Sequence, residues 1–144
     1  FSGGMEINKM KRLIIMQGVS GSGKSTFVNE RKHLTDVVLS TDNYFFDDDN
    51  NYKFDESKLE HYHMKTFQAC INAMQNATRN NERDCTIWLD NTNCKTDDVK
   101  PYLHFAKFNK FEVVYIRMNG EFKSKAPVEV VEQQKKDLRE FNYE

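Results

Sequence analysis

A glycine-rich segment near the start of the chain has residue types and spacing that suit the binding of a phosphate group. It matches the pattern G-x-x-x-x-G-K-[ST], in which glycines let backbone N–H groups turn inward around phosphate oxygens. Lys24 supplies a cation for the β- and γ-phosphates, and the Ser25 hydroxyl is a ligand for Mg²⁺. We therefore expect ATP and Mg²⁺ to bind here; the alternative is a glycine-rich turn that binds nothing. The predicted contacts are Gly18, Ser20, Gly21, Ser22, Gly23, Lys24, Ser25 and Thr26.

The segments on either side of this loop predict the strand and the helix that such a loop connects. Residues Arg12 to Gln17 contain a continuous apolar run, which is typical of a buried parallel strand. A helix is expected from Lys24 to about His33. The positive N-terminal end of that helix would face the bound anion.

Two aspartates are candidates for the chemistry of phosphoryl transfer. Asp42 follows the predicted second strand, where a carboxylate can accept the proton of an attacking hydroxyl. Asp90 ends an apolar run, as does the acidic residue that holds Mg²⁺ in many phosphate-loop proteins. Each has a structural alternative, because Asp and Asn also favour the turns that end strands. The sequence predicts a catalytic base at Asp42 and a metal site formed by Ser25 and Asp90.

Phosphoryl transfer also favours a cation on the group that is transferred. Lys123 and Lys125, in the loop before Pro127, are the first candidates, followed by Arg117 and Arg139. The alternative for the two lysines is an ordinary solvated loop.

Aromatic residues follow Asp42, where an acceptor would enter. They are Tyr44, Phe45, Phe46, Tyr52 and Phe54. Such rings either stack on a base or anchor the loop that carries them. The net charge of −1 gives no general attraction for nucleic acid, so any such contact would need a local patch or a short strand end.

Strand-like and helix-like segments alternate along the chain, which predicts an α/β fold with a parallel sheet and helices on both faces. Further strands are expected at 36–40, 86–89 and 111–117, and further helices from a capping box at Ser57–Glu60 to about Gln75, at 96–108 and at 128–141. The apolar face of the long helix would comprise Leu59, His63, Phe67, Cys70, Ile71 and Met74. Ligands bind beyond the carboxyl ends of parallel strands, so the loop, Asp42 and Asp90 should converge in one crevice.

The length of 144 residues suits one domain. We expect residues 1–4, which precede Met5, to be an expression remnant and residues 5–144 to form the domain. Three scattered cysteines predict neither a disulfide framework nor a zinc site, and they favour a reducing cytoplasm. No apolar stretch approaches the roughly 20 residues of a membrane span, so no membrane partner is expected.

Four segments together resemble the polynucleotide-kinase-like P-loop kinases, a group that includes the kinase domain of phage polynucleotide 5′-hydroxyl kinase and the NEDD4-binding-protein-2-like proteins. The segments are Gly18–Thr26, Ser40–Phe46, Leu89–Asn93 and Lys100–Tyr102. The resemblance extends from about Arg12 to Pro127. It implies that Asp42 is the general base for a 5′-hydroxyl. It also implies that Asp90 is the acidic residue that orients an arginine on the acceptor side.

The chain departs from this family in two places. The acceptor-side arginine of the phage enzyme corresponds here to Phe45, and the lid between Arg117 and Pro127 is short, with Lys123 and Lys125 as its only cations. The resemblance therefore implies a kinase core that uses a nucleoside triphosphate donor, with less information about the acceptor.

These observations predict an ATP- and Mg²⁺-dependent kinase that acts on a hydroxyl, with a nucleic-acid 5′-hydroxyl as the first acceptor. A nucleoside, a modified DNA base or another small molecule is the alternative acceptor. A nucleotide-binding module without turnover is a further alternative, motivated by the short lid. The guanine signature Asn-Lys-x-Asp is absent, which argues against a GTP-binding switch. The sequence does not indicate an oligomeric state.

Overall fold

A four-stranded parallel sheet organises the part of the chain that the computed structural model describes, residues 10–120 and 126–143. Its strands are β1 (Lys11–Gln17), β2 (Val37–Leu39), β3 (Cys85–Leu89) and β4 (Glu112–Arg117). Their order across the sheet is β2-β3-β1-β4, and every neighbouring pair is parallel. Because β1 lies between β3 and β4, the loop that follows it leaves the middle of the sheet.

Four α-helices connect and flank these strands within the described residues. They are α1 (Lys24–Arg31), α2 (Leu59–Arg79), α3 (Thr96–Phe108) and α4 (Val128–Arg139). Short 3₁₀-helices also occur at Thr41–Phe45 and Glu56–Lys58. Among the described residues, no helix combines the length and the apolarity needed to cross a membrane.

The apolar run of β1 is buried because both faces of the sheet are covered. Leu13 and Ile15 pack on one side with residues of α2 and α3, including the buried Met74. Ile14 and Met16 pack on the other side with Val28 of α1. Side chains alternate between the two faces of a strand, so a strand that is apolar at every position must contact two cores. The predicted parallel sheet with helices on both faces is confirmed.

The long helix α2 extends beyond the predicted end at Gln75 to Arg79. Cys70, Ile71 and Met74 of its predicted apolar face are buried, whereas His63 is exposed. Ala77, in the added turn, is fully buried and continues the same apolar stripe. The polar residues around position 76 therefore lie on the outer face of a helix and do not end it.

The capping box predicted at Ser57–Glu60 is wrong. The carboxylate of Asp55 accepts a hydrogen bond from the Ser57 backbone N–H at 3.0 Å. That contact starts a 3₁₀ turn, and α2 begins afterwards with no side-chain cap at Lys58. Aspartate is as good a cap as serine, so an Asp two positions earlier can take the role.

Candidate active site

The glycine-rich loop has the backbone geometry that its glycines allow. Gly21 and Gly23 have φ angles of 83° and 93°, a left-handed conformation that other residues rarely adopt. A Cβ at Gly18 would collide with the Ser22 hydroxyl and lie 3.0 Å from the Met118 carbonyl oxygen. The loop therefore packs closely on itself and on the segment after β4.

Lys24 lies inside the loop and not on its outer surface. Its Nζ donates hydrogen bonds to the carbonyl oxygens of Gly18, at 2.9 Å, and Val19, at 3.0 Å. Burial lowers the pKa of the Lys24 amine, while the negative charge of Asp90 opposes that shift. The two carbonyl bonds hold a cation where the loop curves around its centre.

Ser25 and Asp90 are in contact at the carboxyl ends of the neighbouring strands β1 and β3. The Ser25 hydroxyl donates a hydrogen bond of 2.7 Å to Oδ2 of Asp90. Asp90 is buried, and burial raises the pKa of its carboxyl group; the Ser25 hydrogen bond and the Lys24 charge act in the opposite direction. The Ser25 hydroxyl and a carboxylate oxygen of Asp90 therefore lie side by side, close to the buried Lys24 amine.

The residues of this site suit a nucleotide and Mg²⁺. The Ser22 hydroxyl is buried and makes no hydrogen bond within the described part of the chain, although it lies in the turn of the loop. Ser25 and Asp90 offer the oxygen ligands that Mg²⁺ prefers. The described residues contain no group of three His, Cys, Asp or Glu side chains able to hold a metal by themselves. The donor set therefore fits a metal shared between the protein and phosphate oxygens.

Asp42 lies on the 3₁₀-helix after β2, where the sequence predicted a strand end. The preceding Thr41 fixes this helix, because its N–H donates to Asn91 Oδ1 at 2.9 Å. The Thr41 hydroxyl lies 2.9 Å from that of Thr66 and 3.2 Å from His63 Nδ1. The exposed Asp42 carboxylate is near enough to Lys24 and Asp90 for its charge to raise the pKa of both. Lys24, Asp42 and Asp90 therefore lie within electrostatic range of one another, near the carboxyl ends of β1, β2 and β3.

A buried amide network at the ends of the strands was missed by the sequence reasoning. Asn93 Nδ2 donates to the Met16 carbonyl oxygen at 2.7 Å, and Gln17 Nε2 donates to the Asn93 carbonyl oxygen at 3.2 Å. The Tyr143 hydroxyl donates to Gln17 Oε1 at 2.7 Å. These bonds join β1, the segment after β3 and the C-terminal segment. A glutamine at the end of an apolar strand was the signal that could have indicated it.

Four cations were predicted as candidates for contact with the transferred group, and two of them lie among the described residues. Lys123 and Lys125 lie outside the described residues. Arg117 donates hydrogen bonds to the Leu138 carbonyl oxygen and to the Tyr143 hydroxyl, so it packs the C-terminal segment against β4. Arg139 is the last residue of α4.

Helix α4 contacts the glycine-rich loop through a residue that the sequence analysis did not identify. Gln134 Oε1 accepts a hydrogen bond of 2.9 Å from the Ser20 backbone N–H. The backbone N–H of Ser20, in the glycine-rich loop, therefore points toward a side-chain oxygen acceptor. No sequence motif indicates this contact, because it depends on how α4 returns to the loop.

A pocket of about 310 Å³ lies between α2 and α3, next to the Asn91 amide that holds the Asp42 segment. Its wall combines apolar and polar side chains and contains no lysine or arginine. The lining residues are His63, Met64, Phe67, Asn91, Thr92, Asn93, Asp98, Pro101 and Tyr102. This volume is at the lower end of the range for small-molecule sites.

A family profile described as an AAA domain matches residues 13–121, a stretch that includes the loop, Asp42 and Asp90. The chain belongs to this AAA-domain family. Human NEDD4-binding protein 2 is 29% identical to it over 105 residues, which are 72% of this chain but 6% of that protein. The chain thus spans a small fraction of that relative's length. The likeness to NEDD4-binding-protein-2-like proteins, predicted from the four motifs, is confirmed.

Two solved structures have folds similar to the fold of this AAA-domain chain. A chain of the Pnkp1/Rnl/Hen1 RNA repair complex matches with a TM-score of 0.64 at 16% identity, over 95% of this chain and 48% of that chain. A mutant of the Mycobacterium tuberculosis APS kinase CysC matches with a TM-score of 0.50 at 17% identity, over 91% of this chain and 98% of that chain. The chain is therefore a P-loop domain with a kinase-like fold, and the predicted fold class is confirmed.

Proposed function

We propose that this protein is an ATP- and Mg²⁺-dependent phosphotransferase. The proposal is supported by the buried Lys24 amine and the Ser25–Asp90 pair at the carboxyl ends of the strands, with Asp42 close enough for its charge to act on both Lys24 and Asp90. Phosphoryl transfer consists mainly of positioning and electrostatic stabilisation, and these groups supply a cation, metal ligands and a base. The kinase-like fold supports the same assignment.

Each group has a separate role in this proposal. The loop backbone from Gly18 to Thr26 and the Lys24 amine hold the β- and γ-phosphates. Ser25 and, through water, Asp90 would hold Mg²⁺, which would neutralise charge on the phosphate oxygens.

Asp42 is the proposed general base. It accepts the proton of the acceptor hydroxyl as that oxygen attacks the γ-phosphorus. The new oxygen–phosphorus bond forms while the bond from the γ-phosphorus to the β–γ bridging oxygen breaks. ADP leaves with that electron pair. Lys123 or Lys125, in the lid, is proposed to close on the transferring group.

The proposed acceptor is the 5′-hydroxyl of a nucleic acid. Aromatic rings lie beside Asp42: Tyr44 stacks on Tyr62 at 5.3 Å, and the exposed Phe46 and Phe54 are within the same cluster. Exposed rings of this kind bind unstacked bases. Similarity to a chain of an RNA repair complex points the same way, by fold alone.

A small uncharged acceptor, such as a nucleoside, is the second candidate, and two observations favour it. The pocket beside Asn91 has no lysine or arginine in its wall. Residues 42–65, the segment that begins with the proposed base, contain seven acidic side chains, Asp42 included, and three basic ones. A phosphate backbone is held by cations, so this surface is better matched to an acceptor without phosphates.

We further propose a reducing cytoplasm as the location of the protein. Cys70, Cys85 and Cys94 are free thiols. Burial raises the pKa of each of them, to about 12 for Cys70, so they are poor nucleophiles near neutral pH.

The test is transfer of labelled γ-phosphate from ATP–Mg²⁺ to a panel of acceptors. The panel contains 5′-hydroxyl RNA, 5′-hydroxyl DNA, hydroxymethylated DNA and free nucleosides. Label on a strand end, with acceptor affinity that falls steeply with salt, supports the polynucleotide acceptor. Label on nucleosides, indifferent to salt, supports the second candidate. Tight ATP binding without label on any acceptor would contradict the phosphotransferase and favour a binding module.

A further inference from the structure

Two neighbouring glutamines of α4 have different surroundings. Gln133 is exposed, and its Nε2 donates to Asp137 Oδ1, one turn further along the same helix, at 2.9 Å. Gln134 is half-buried, and its Oε1 accepts a hydrogen bond of 2.9 Å from the Ser20 backbone N–H in the glycine-rich loop. Gln134 therefore joins segments that are 114 positions apart, whereas Gln133 makes a contact within its own helix.

Helix α4 is held to the sheet on the face that carries Gln134. Leu138 is buried, and its carbonyl oxygen accepts a hydrogen bond of 2.9 Å from Arg117, the last residue of β4. Residues four apart lie on the same face of a helix, so Gln134 faces the domain as Leu138 does. The position of the Gln134 amide at the loop thus follows from the packing of α4 on β4.

The Ser20 contact also fixes the orientation of the Gln134 amide. A backbone N–H can only donate, so it meets the oxygen of the amide, and the nitrogen is at the other end. Within the described part of the chain, Nε2 of Gln134 has no hydrogen-bond acceptor. Because the oxygen and the nitrogen are bonded to the same carbon, the two N–H donors of Nε2 are held beside the loop and are available to a ligand.

The neighbouring residues of the loop hold a second donor. The carbonyl oxygens of Gly18 and Val19 accept hydrogen bonds from the Lys24 amine, and the next residue, Ser20, donates to Gln134. A cation and a neutral amide are thus attached to three consecutive residues in the first half of the loop. The second half leads into α1, whose N-terminal N–H groups suit another phosphate. Donors along both halves of the loop suit a chain of phosphates better than a single one.

We propose that Gln134 binds the terminal phosphate of ATP: Ser20 holds its Oε1, and its Nε2 donates to an oxygen of the γ-phosphate beside Lys24. The inference rests on the proposed function, since it adds a residue to the donor site of that reaction. The β-phosphate is assigned to the N-terminus of α1 and the γ-phosphate to the first half of the loop, where Gln134 lies. A residue that only braced the loop through Ser20 would need its oxygen and not its nitrogen.

The first experiment compares ATP with ADP, which lacks the γ-phosphate. Calorimetric titration gives the dissociation constant of each with Mg²⁺ and without an acceptor. Gln134→Met keeps the length of the side chain and removes both polar ends. We expect its ratio of the ATP to the ADP dissociation constant to rise about 10- to 100-fold above the wild-type ratio, the worth of a hydrogen bond to a charged group. Retained ADP binding shows that the variant is folded.

Gln133→Met, at the adjacent exposed position of α4, is the matched control and should keep the wild-type ratio. A wild-type ratio in Gln134→Met would overturn the inference, whether both affinities fall together or neither changes. Tighter ATP binding by Gln134→Met would also overturn it, because Oε1 would then only occupy the loop until phosphate displaces it.

Gln134→Glu separates the two ends of the amide. It keeps an oxygen for the Ser20 N–H and places a negative oxygen where the nitrogen donor was. ATP binding should therefore weaken more than in Gln134→Met, while ADP binding changes much less because the repelled phosphate is absent. Wild-type ATP affinity in Gln134→Glu would overturn the inference.

The wild type separates this inference from the proposed function. A wild type that binds neither nucleotide would contradict the proposed function and this inference with it. A wild type that binds ATP and transfers its phosphate, while Gln134→Met keeps the wild-type ratio, would contradict this inference alone.

Discussion

The Ser25 hydroxyl and Asp90 Oδ2 lie 2.7 Å apart, although 65 positions separate them in the chain. Ser25 is in the first turn of α1, and Asp90 directly follows β3. Their contact exists because β1 and β3 are parallel neighbours whose carboxyl ends meet at one edge of the sheet. The loop that would hold phosphate and the carboxylate that would hold Mg²⁺ are thereby joined.

The first prediction concerns this pair. Ser25→Ala and Asp90→Asn should each raise the Mg²⁺ concentration needed for half-maximal transfer, by about 10- to 100-fold, because each removes an oxygen that holds or orients the metal. A titration of transfer rate against Mg²⁺ measures this. Asp97→Asn, at an exposed aspartate of α3, is the control and should match the wild type. An unchanged Mg²⁺ requirement in Asp90→Asn would contradict the metal assignment.

Lys24→Ala should weaken ATP binding at least about tenfold and abolish transfer. The buried amine lies inside the loop, where it donates to two backbone carbonyl oxygens, so its loss removes a charge-assisted contact to phosphate. Fluorescent-nucleotide titration measures the affinity. Lys32→Ala, at the exposed end of α1, should bind like the wild type. Undiminished binding in Lys24→Ala would mean that phosphate lies elsewhere.

Gly18→Ala should weaken ATP binding while the sheet and helices remain folded. The added methyl group would meet the Ser22 hydroxyl and the Met118 carbonyl oxygen, so the loop must shift. Nucleotide titration and circular dichroism measure the two effects. Adding Ser22→Ala should restore part of the affinity, because it removes the nearest clashing atom. Wild-type affinity in Gly18→Ala alone would show that the close packing of the loop is not required.

The sequence was sufficient for the main elements of the fold, because their signals are local. The apolar run in β1 and the glycine-rich pattern each specify their own structure without knowledge of the rest of the chain. The placement of Asp42 and Asp90 after neighbouring parallel strands followed from the same local signals, and their expected role followed from the general rule that ligands bind beyond the carboxyl ends of such strands.

Contacts between distant segments could not be predicted in this way. Gln134 reaches Ser20 because of how α4 returns to the loop, and Tyr52 pairs with Phe46 because Asp47 closes a turn through its own side chain. The misplaced start of α2 has a related cause, since Asp55 and Ser57 are both capping residues and only the folded backbone selects between them.

The core makes a separate prediction about stability. Ile87 in β3 is fully buried, so Ile87→Ala should lower the free energy of unfolding by about 2–5 kcal/mol. Urea denaturation measures this. Leu34 is fully exposed, and Leu34→Ala should change stability by no more than about 0.5 kcal/mol. Equal effects of the two substitutions would contradict the described packing of the sheet.

Transfer by Asp42→Asn, with ATP binding measured on the same preparation, tests the central claim most directly. Asparagine keeps the shape of the side chain but cannot accept the proton. The account predicts a loss of transfer of at least about 100-fold with ATP affinity nearly unchanged, whereas Asp48→Asn in the neighbouring turn retains full activity. Wild-type transfer by Asp42→Asn would contradict the account.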